Sequence, residues 1–225
     1  MSVRAVRVAL VSEDVNDAPS ELNNSHQYDV YSRVFDIILS TILLLITFPV
    51  FLAVAIAILL DSPGPVLFIQ SRAGKNGHPF AFYKFRSMCI DAEFLKAGLQ
   101  ARNECDGPLF KIRHDPRMTR VGRLIRRWSL DELPQLINVL KGDMSLVGPR
   151  PAVLAEVAQY SSYERRRLSV TPGITGLWQV SGRSDLPFTE AVQLDLVFAE
   201  ERSIALYVQI LARTIPAVLS ARGAY

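Results

Sequence analysis

Cysteine is scarce in this chain of 225 residues, which contains only Cys89 and Cys105. Two cysteines cannot form the disulfide network of a small secreted domain, and neither stands in a spacing typical of metal ligands. The N-terminus also lacks a secretory signal, because Arg4 and Arg7 interrupt its short apolar stretch and no small-residue cleavage site follows. The sequence therefore predicts a reduced, cytosol-facing domain preceded by a disordered leader over residues 1–27.

Charge is almost missing between Val34 and Leu60, where Asp36 is the only charged residue. A helix of this length reaches about 40 Å, which exceeds the ~30 Å of bilayer hydrocarbon. The sequence predicts a membrane-embedded helix over residues 28–62, kinked at Pro49 because proline removes a backbone donor and clashes with the preceding turn. Hydropathy favours a kinked spanning helix, and a helix–break–helix that enters and leaves by the same face stays open. A buried helix of a soluble protein is the third alternative.

Positive charge is concentrated in one segment although the net charge of the chain is only +3. Asp115 is the one acidic residue among its seven basic residues, which are Lys111, Arg113, Arg117, Arg120, Arg123, Arg126 and Arg127. A helix predicted over residues 119–128 carries much of this cluster. The cluster indicates an anionic partner, or else a solvated helix face. The chain has no recognisable nucleic-acid-binding motif, so nucleic acid is not predicted as that partner.

Residues 63–225 are predicted to form one helix-rich domain of the α+β class. Residues 66–70 and 80–85 are rich in β-branched and aromatic side chains, and residues 74–77 between them contain Asn-Gly. This arrangement predicts a β-hairpin. Residues 91–105 have a helical pattern.

Two adjacent carboxylates, Asp131 and Glu132, follow the basic cluster. Ser129 and Glu132 have the spacing of a capping box and Gly142 is typical of a helix end, so the sequence predicts a helix from Ser129 to Lys141. One interpretation is that the carboxylates only complement the helix dipole. The other is catalytic: an ionised aspartate at a basic helix N-terminus attacks phosphorus, while its neighbour binds metal or positions water or substrate.

Four motifs occur in order along the chain: KFRSM at 84–88, SLDELPQL at 129–136, GDMSLVGPRP at 142–151 and TPGITGLWQVSGR at 171–183. Together they resemble the bacterial sugar transferases, the monotopic phosphoglycosyl transferases. The resemblance extends from about Tyr31 to the C-terminus. Since few residues precede the apolar segment, the chain is similar to the short form of the family. Its last residues, 214–225, resemble those of short galactosyl-phosphate transferases of exopolysaccharide synthesis, which favours UDP-galactose over UDP-glucose.

The resemblance implies a re-entrant membrane helix broken at proline, followed by a cytosolic catalytic domain with a small β-hairpin and interfacial amphipathic helices. It places the protein in the bacterial inner membrane, with the catalytic domain on the cytoplasmic face. Phe48 stands where many family members have Ser before that proline, which is a departure from the pattern. A homo-oligomer is compatible with the resemblance.

The resemblance also implies a two-step mechanism. Asp131, at the position of the family nucleophile, would attack the sugar-bearing phosphorus of a UDP-sugar and expel UMP. The glycosyl phosphate on Asp131 would then pass to undecaprenyl phosphate. Mg²⁺ is expected to be held by Asp131 and Glu132, because charge neutralisation and alignment dominate phosphoryl transfer.

Further residues are expected to bind substrate because they match the family motifs or lie within them. They are Lys84, Arg86, Arg126, Arg150, Gly173, Gly176, Arg183 and Asp195. The glycines allow close backbone approach to a ligand, which predicts part of the nucleotide site within residues 171–183, or else a structural turn. The basic residues have surface or loop-fixing roles as alternatives, and Trp178 is interpreted as a core residue.

The apolar residues between Ile204 and Leu219 predict a last helix, which either lies in the membrane plane or closes the domain core. Two other function classes stay open. A non-catalytic scaffold of a polysaccharide assembly complex would have the same fold, and a membrane-tethered binder of anionic ligands would explain the basic cluster.

Overall fold

The structure is a computed structural model that describes residues 21–104, 107–182 and 186–220. Its helices α1 to α9 are Glu21–Asp61, Ala92–Lys96, Arg120–Arg127, Gln135–Lys141, Leu154–Val157, Ser162–Arg165, Leu177–Ser181, Phe188–Glu201 and Ile204–Leu219. Its strands β1 to β4 are Leu67–Ala73, Pro79–Phe85, Ser145–Val147 and Gly173–Thr175. Short 3₁₀ turns occupy Lys75–Gly77, Ala97–Arg102, Leu130–Glu132 and Arg166–Ser169. The predicted helix-rich α+β class is confirmed.

Helix α1 runs without interruption through Pro49. It begins at Glu21, earlier than the predicted start at residue 28, and the rest of the predicted leader lies outside the described residues. Within the described part of the chain, its segment Gln27–Asp61 is the one helix long and apolar enough to cross a membrane. The predicted helix–break–helix is not confirmed, because the missing donor of one proline does not end this helix.

Both ends of the apolar part of α1 pack against the rest of the protein. Near its N-terminal end, Tyr28, Ser32, Asp36 and Ser40 are buried at four-residue spacing, which places them on one face. Near its C-terminal end, Val54 and Ile58 are buried in a cluster with Phe85 and Ile125. Between these contacts, the side chains of residues 41–53 are exposed or half-buried.

Strands β1 and β2 form the predicted antiparallel hairpin, with Leu67 opposite Phe85 and Ala73 opposite Pro79. The turn between them uses positive φ angles at Asn76 (58°) and Gly77 (79°), the conformation that Asn and Gly tolerate best. This hairpin brings charged side chains of both strands to the centre of the molecule, as described below.

The main core lies around the parallel pair of β3 and β4, between α4, α8 and α9. Leu206, Tyr207 and Ile210 of α9 are buried there, so the prediction of an in-plane membrane helix is wrong for this face. The other predicted alternative for α9, a helix that closes the domain core, is confirmed. Trp178 packs on the same core, as the sequence predicts.

Candidate active site

The two adjacent carboxylates lie in a tight turn between α3 and α4. Ser129 has a φ of 54°, in the left-handed region, and the 3₁₀ turn Leu130–Glu132 follows it. Helix α4 starts only at Gln135, after Pro134, and the Ser129 side chain makes no capping hydrogen bond. The predicted capping box is therefore wrong, because Ser129 turns the chain instead of starting a helix. The predicted helix end at Gly142 is confirmed, with a φ of 90°.

This turn directs Asp131 into the protein, where it is only 4% exposed. The side chain of Glu132 is 36% exposed and lies at the surface of the same site. Lys84 of β2 reaches both carboxylates: its Nζ is 2.8 Å from Oε1 of Glu132 and 3.4 Å from Oδ2 of Asp131. The structure thus brings Lys84 to two carboxylates that are far from it in the sequence, as the motifs predict.

The surroundings shift the pKa values of the two carboxyl groups in opposite directions. Burial raises the pKa of Asp131; the positive charge of Lys84 opposes this and the negative charge of Glu132 adds to it. Burial acts on Glu132 too, but Lys84, Arg150 and Arg72 together lower the pKa of Glu132. The surroundings therefore favour the ionised form of Glu132 more than that of Asp131.

Arg126 is held beside Asp131 by the packing of α3. Its Nε donates to Oγ of Ser87 at 3.0 Å, and its charge lowers the pKa of Asp131. Gly122 makes this position possible, because a Cβ atom there would collide with the carbonyl oxygen of Ser87. Thr119 caps the helix by accepting from the backbone N–H of Gly122 at 2.9 Å.

Arg72 is a site residue that the sequence motifs do not indicate. It is 7% exposed, its Nη1 donates to the carbonyl oxygen of Pro151 at 2.7 Å, and its guanidinium lies 4.4 Å from the centre of the Phe82 ring. Burial and the nearby charge of Arg150 lower the pKa of Arg72 to about 9, so it remains a cation at neutral pH. The available signal was an arginine just after the strand predicted at residues 66–70, at a position where continued alternation directs it inward.

Four cations therefore act on two carboxylates, since Arg72, Lys84, Arg126 and Arg150 all influence the pKa of Asp131 or Glu132. A site with this surplus of positive charge is suited to an anionic ligand with more than one charge, such as a diphosphate.

The sequence pattern of the bacterial sugar transferase family matches residues 27–221. The chain belongs to this family. It is 51% identical over 162 residues to the galactosyl transferase CpsE of Streptococcus agalactiae, covering 72% of this chain and 36% of that protein. It is 44% identical over 198 residues to the undecaprenyl-phosphate galactose phosphotransferase of Salmonella typhimurium, covering 86% of this chain and 41% of the relative.

The exopolysaccharide production protein ExoY of Rhizobium meliloti is 38% identical over 198 residues, covering 86% of this chain and 87% of ExoY. The chain thus spans less than half of CpsE and of the Salmonella relative, but nearly the whole of ExoY.

The hydrogen bonds of Arg86 are made with the turn that follows α1. Arg86 is 5% exposed, and its guanidinium donates to the carbonyl oxygens of Ser62, Pro63 and Pro65 and to Oγ of Ser62. These bonds fix the turn that follows α1. The structure therefore favours a structural role for Arg86 over the predicted binding of substrate.

Gly173 and Gly176 are also structural. A Cβ atom on either glycine would collide with backbone atoms of Gly148, so the close approach that they allow is between two segments of the protein. The structure favours the structural turn for these two glycines, and their contact with a ligand stays a prediction. Arg183, the other predicted binding residue of this segment, lies outside the described residues.

Asp195 is linked to Arg150 of the candidate active site through Arg167. It is fully buried and forms an ion pair with Arg167, which also donates to the hydroxyl of Tyr160 at 2.9 Å and to the carbonyl oxygen of Arg150 at 3.3 Å. The pair stabilises the loop that carries Arg150, because Arg167 binds the backbone of that residue. These contacts favour a positioning role for Asp195 through Arg167, and its contact with a substrate stays a prediction.

The carboxylates of Asp131 and Glu132 fit a magnesium ion that arrives with a phosphate ligand. Among the described residues there is no group of three or more acidic, histidine or cysteine side chains that could hold a metal without help. Mg²⁺ is commonly bound by one or two carboxylates together with substrate phosphates and water. The donor set here is of that kind.

Proposed function

We propose that this chain transfers a sugar 1-phosphate, galactose or glucose, from a UDP-sugar to undecaprenyl phosphate and releases UMP. The reaction would initiate the synthesis of an exopolysaccharide or capsule. The observation that carries the proposal is the buried carboxylate of Asp131 beside Lys84, Glu132 and Arg126. The names of two relatives support it: the Salmonella galactose phosphotransferase and an undecaprenyl-phosphate glucose phosphotransferase of Komagataeibacter xylinus, 44% identical over 208 residues.

In the first step, an Oδ atom of ionised Asp131 attacks the sugar-bearing phosphorus of the donor. A bond forms between this oxygen and phosphorus, and the bond from phosphorus to the bridging oxygen breaks. UMP leaves with that oxygen and the electron pair, and the sugar phosphate remains on Asp131 as an acyl phosphate. Lys84, Arg126 and Arg150 reduce the repulsion between the carboxylate and the diphosphate.

In the second step, a phosphate oxygen of undecaprenyl phosphate attacks the same phosphorus. The bond between phosphorus and Oδ breaks, which returns the electron pair to the Asp131 carboxylate and yields the lipid-linked diphosphate sugar. Lys84 and Arg126 favour the ionised form of Asp131 and so oppose burial, which raises the pKa of this carboxyl.

Asp131 and Glu132 would hold Mg²⁺ in this reaction. The ion would supply further neutralisation of the charge on the phosphate oxygens. Lys84 then has a second purpose, because its hydrogen bond to Glu132 keeps that side chain close to the site before the donor binds.

We also propose a monotopic arrangement in the inner membrane with the domain on the cytoplasmic face, and the contacts of α1 support its monotopic part. Buried side chains near both ends of its apolar part, such as Asp36 and Ile58, contact the same domain. A helix that crosses the bilayer would carry one of these ends to the opposite face. The exposed apolar side chains between residues 41 and 53 are then the part that enters the lipid.

A donor screen tests the proposed function. The full chain, reconstituted in lipid nanodiscs with undecaprenyl phosphate and Mg²⁺, is offered radiolabelled UDP-galactose and UDP-glucose. We expect UMP release together with label in the lipid extract for at least one donor. Absence of transfer with every UDP-sugar would favour the non-catalytic scaffold, and retention of anionic ligands without transfer would favour the membrane-tethered binder.

A further inference from the structure

A cavity separate from the carboxylates lies between the helical segment at 96–103 and helix α5. Its volume is about 290 Å³, and its lining includes Lys96, Gln100, Asn103, Phe110, Val153 and Glu156. Ligand pockets typically measure roughly 300–1,000 Å³. This cavity is therefore at the small end of the range, large enough for one nucleoside but not for a whole nucleotide sugar.

We infer that this cavity binds the uridine of the donor, with the diphosphate extending past Arg72 and Arg150 toward Asp131. The inference rests on the proposed function, since it assigns a place to one part of the UDP-sugar. It places the nucleoside outside the segment of Gly173 and Gly176, whose Cβ positions are filled by the backbone of Gly148.

The chain connects this cavity to the carboxylates through residues 150–153. Strand β1 is bound to that segment, because the backbone N–H of Ala73 donates to Ala152 at 2.9 Å and Arg72 forms an isolated antiparallel bridge with Val153. The charge of Arg72 interacts with Glu156 at the cavity and with Glu132 at the active site. A diphosphate that follows this segment from the cavity toward Asp131 would pass Arg72 and Arg150.

The lining groups match the chemistry of a pyrimidine nucleoside. Uracil offers two carbonyl acceptors and one N–H donor, and the exposed amide of Gln100 can both donate and accept. Glu156 accepts at Oε2 from the backbone N–H of Val153 at 3.1 Å, and a carboxylate has room for further donors, such as a ribose hydroxyl.

The aromatic wall of the cavity is held in place by Asn103. Its Nδ2 donates to the carbonyl oxygen of Leu109 at 2.9 Å, and its Oδ1 accepts from the backbone N–H of Lys111 at 2.8 Å. These two bonds fix the residues on either side of Phe110. Lys96 lies 5.3 Å from the centre of the Phe110 ring and adds a positive charge at the wall.

Filling the cavity tests the inference with a probe that does not depend on turnover. Ala155 is an exposed alanine that lines the cavity, and Ala158 is an exposed alanine nearby that does not. We expect Ala155→Trp to weaken the binding of UMP about tenfold or more, measured by titration calorimetry on the full chain in nanodiscs, because the indole occupies the volume of the base. The KM for the UDP-sugar should rise with it. The matched variant Ala158→Trp should bind UMP as the unaltered protein does.

A second, smaller substitution distinguishes loss of UMP binding from misfolding of the protein. Gln100→Ala should weaken UMP binding severalfold, and Gln193→Ala, at an exposed glutamine of α8, should not. Equal UMP affinity in Ala155→Trp and Ala158→Trp would overturn the cavity assignment, and so would no UMP binding by the unaltered protein. The proposed function would still stand in either case if sugar transfer were measured. Weakened UMP binding in Ala155→Trp without transfer of any sugar would instead overturn the function and retain the cavity as a nucleotide site.

Discussion

The hydroxyl of Tyr207 donates a 2.7 Å hydrogen bond to Oδ1 of Asp36, which joins the last helix of the chain to the apolar helix α1. The same oxygen accepts from the backbone N–H of Leu146 at 2.7 Å and from Oγ of Ser145 at 3.1 Å. The single charged residue of the apolar segment is thus an attachment point between α1, the small sheet and α9.

Asp36→Leu should therefore detach this part of α1 from the domain. The change leaves three buried donors without an acceptor, at roughly 1–3 kcal/mol for each unsatisfied group. We expect a clearly lower midpoint of thermal unfolding in detergent. Asp29→Leu is the control, because Asp29 is about half exposed and its ion pairs with Arg202 and Lys75 lie at the surface. Equal effects of the two changes would show that Asp36 is not an anchor.

Lys84→Met should lower kcat by about 100-fold or more, since it removes a positive charge next to the reacting phosphate. The fold should persist, because the methionine retains the contact of the aliphatic chain with its neighbours. Lys141→Met is the matched control: Lys141 donates to the hydroxyl of Tyr83 at 3.1 Å and lies 4.0 Å from Asp143, away from the two catalytic carboxylates. Steady-state kinetics of both variants would contradict the assignment if Lys141→Met lost as much activity as Lys84→Met.

Gly122→Ala should displace α3 and, with it, Arg126. The added methyl group collides with backbone of Ser87, which cannot move aside as a side chain could. We expect both lower stability and lower activity, read from thermal unfolding and sugar transfer on one preparation. Gly98→Ala serves as the comparison, because no atom lies within 4 Å of the added Cβ there. An unaffected Gly122→Ala protein would mean that α3 is not tightly seated on Ser87.

Asp195→Asn should destabilise the protein by about 3–5 kcal/mol, because it leaves the buried charge of Arg167 without its partner. The double change Asp195→Leu and Arg167→Met should recover much of that loss, since it removes both charges. Denaturant titration of the two proteins gives the comparison. If the double variant were no more stable than Asp195→Asn, charge pairing would not be the role of Asp195.

The sequence predicted well what depends on short patterns. Asn76 and Gly77 identified the hairpin turn, Gly142 identified a helix end, and the motifs placed Lys84, Asp131 and Glu132 in one site. These features are determined by local backbone preferences or by the family resemblance, so a single sequence contains them.

The errors came from contacts between distant segments. The side of α9 that carries Ile210 packs in the core, and no periodicity distinguishes a face buried in protein from a face buried in lipid. Gly173 allows close approach to the backbone of Gly148, which only the fold can show. Arg72 was missed because its neighbours Pro151 and Phe82 lie far from it in the sequence.

The central claim is that Asp131 carries the sugar phosphate during the reaction. The full chain in nanodiscs, incubated with UDP-sugar and Mg²⁺ but without undecaprenyl phosphate, should show a peptide containing Asp131 with the added mass of the glycosyl phosphate. Asp131→Asn should abolish both this adduct and transfer while leaving the thermal unfolding profile unchanged, because the amide has the same shape but is a poor nucleophile. An unmodified Asp131 peptide, in a preparation that transfers sugar when the acceptor is added, would contradict the account and indicate direct transfer in one step.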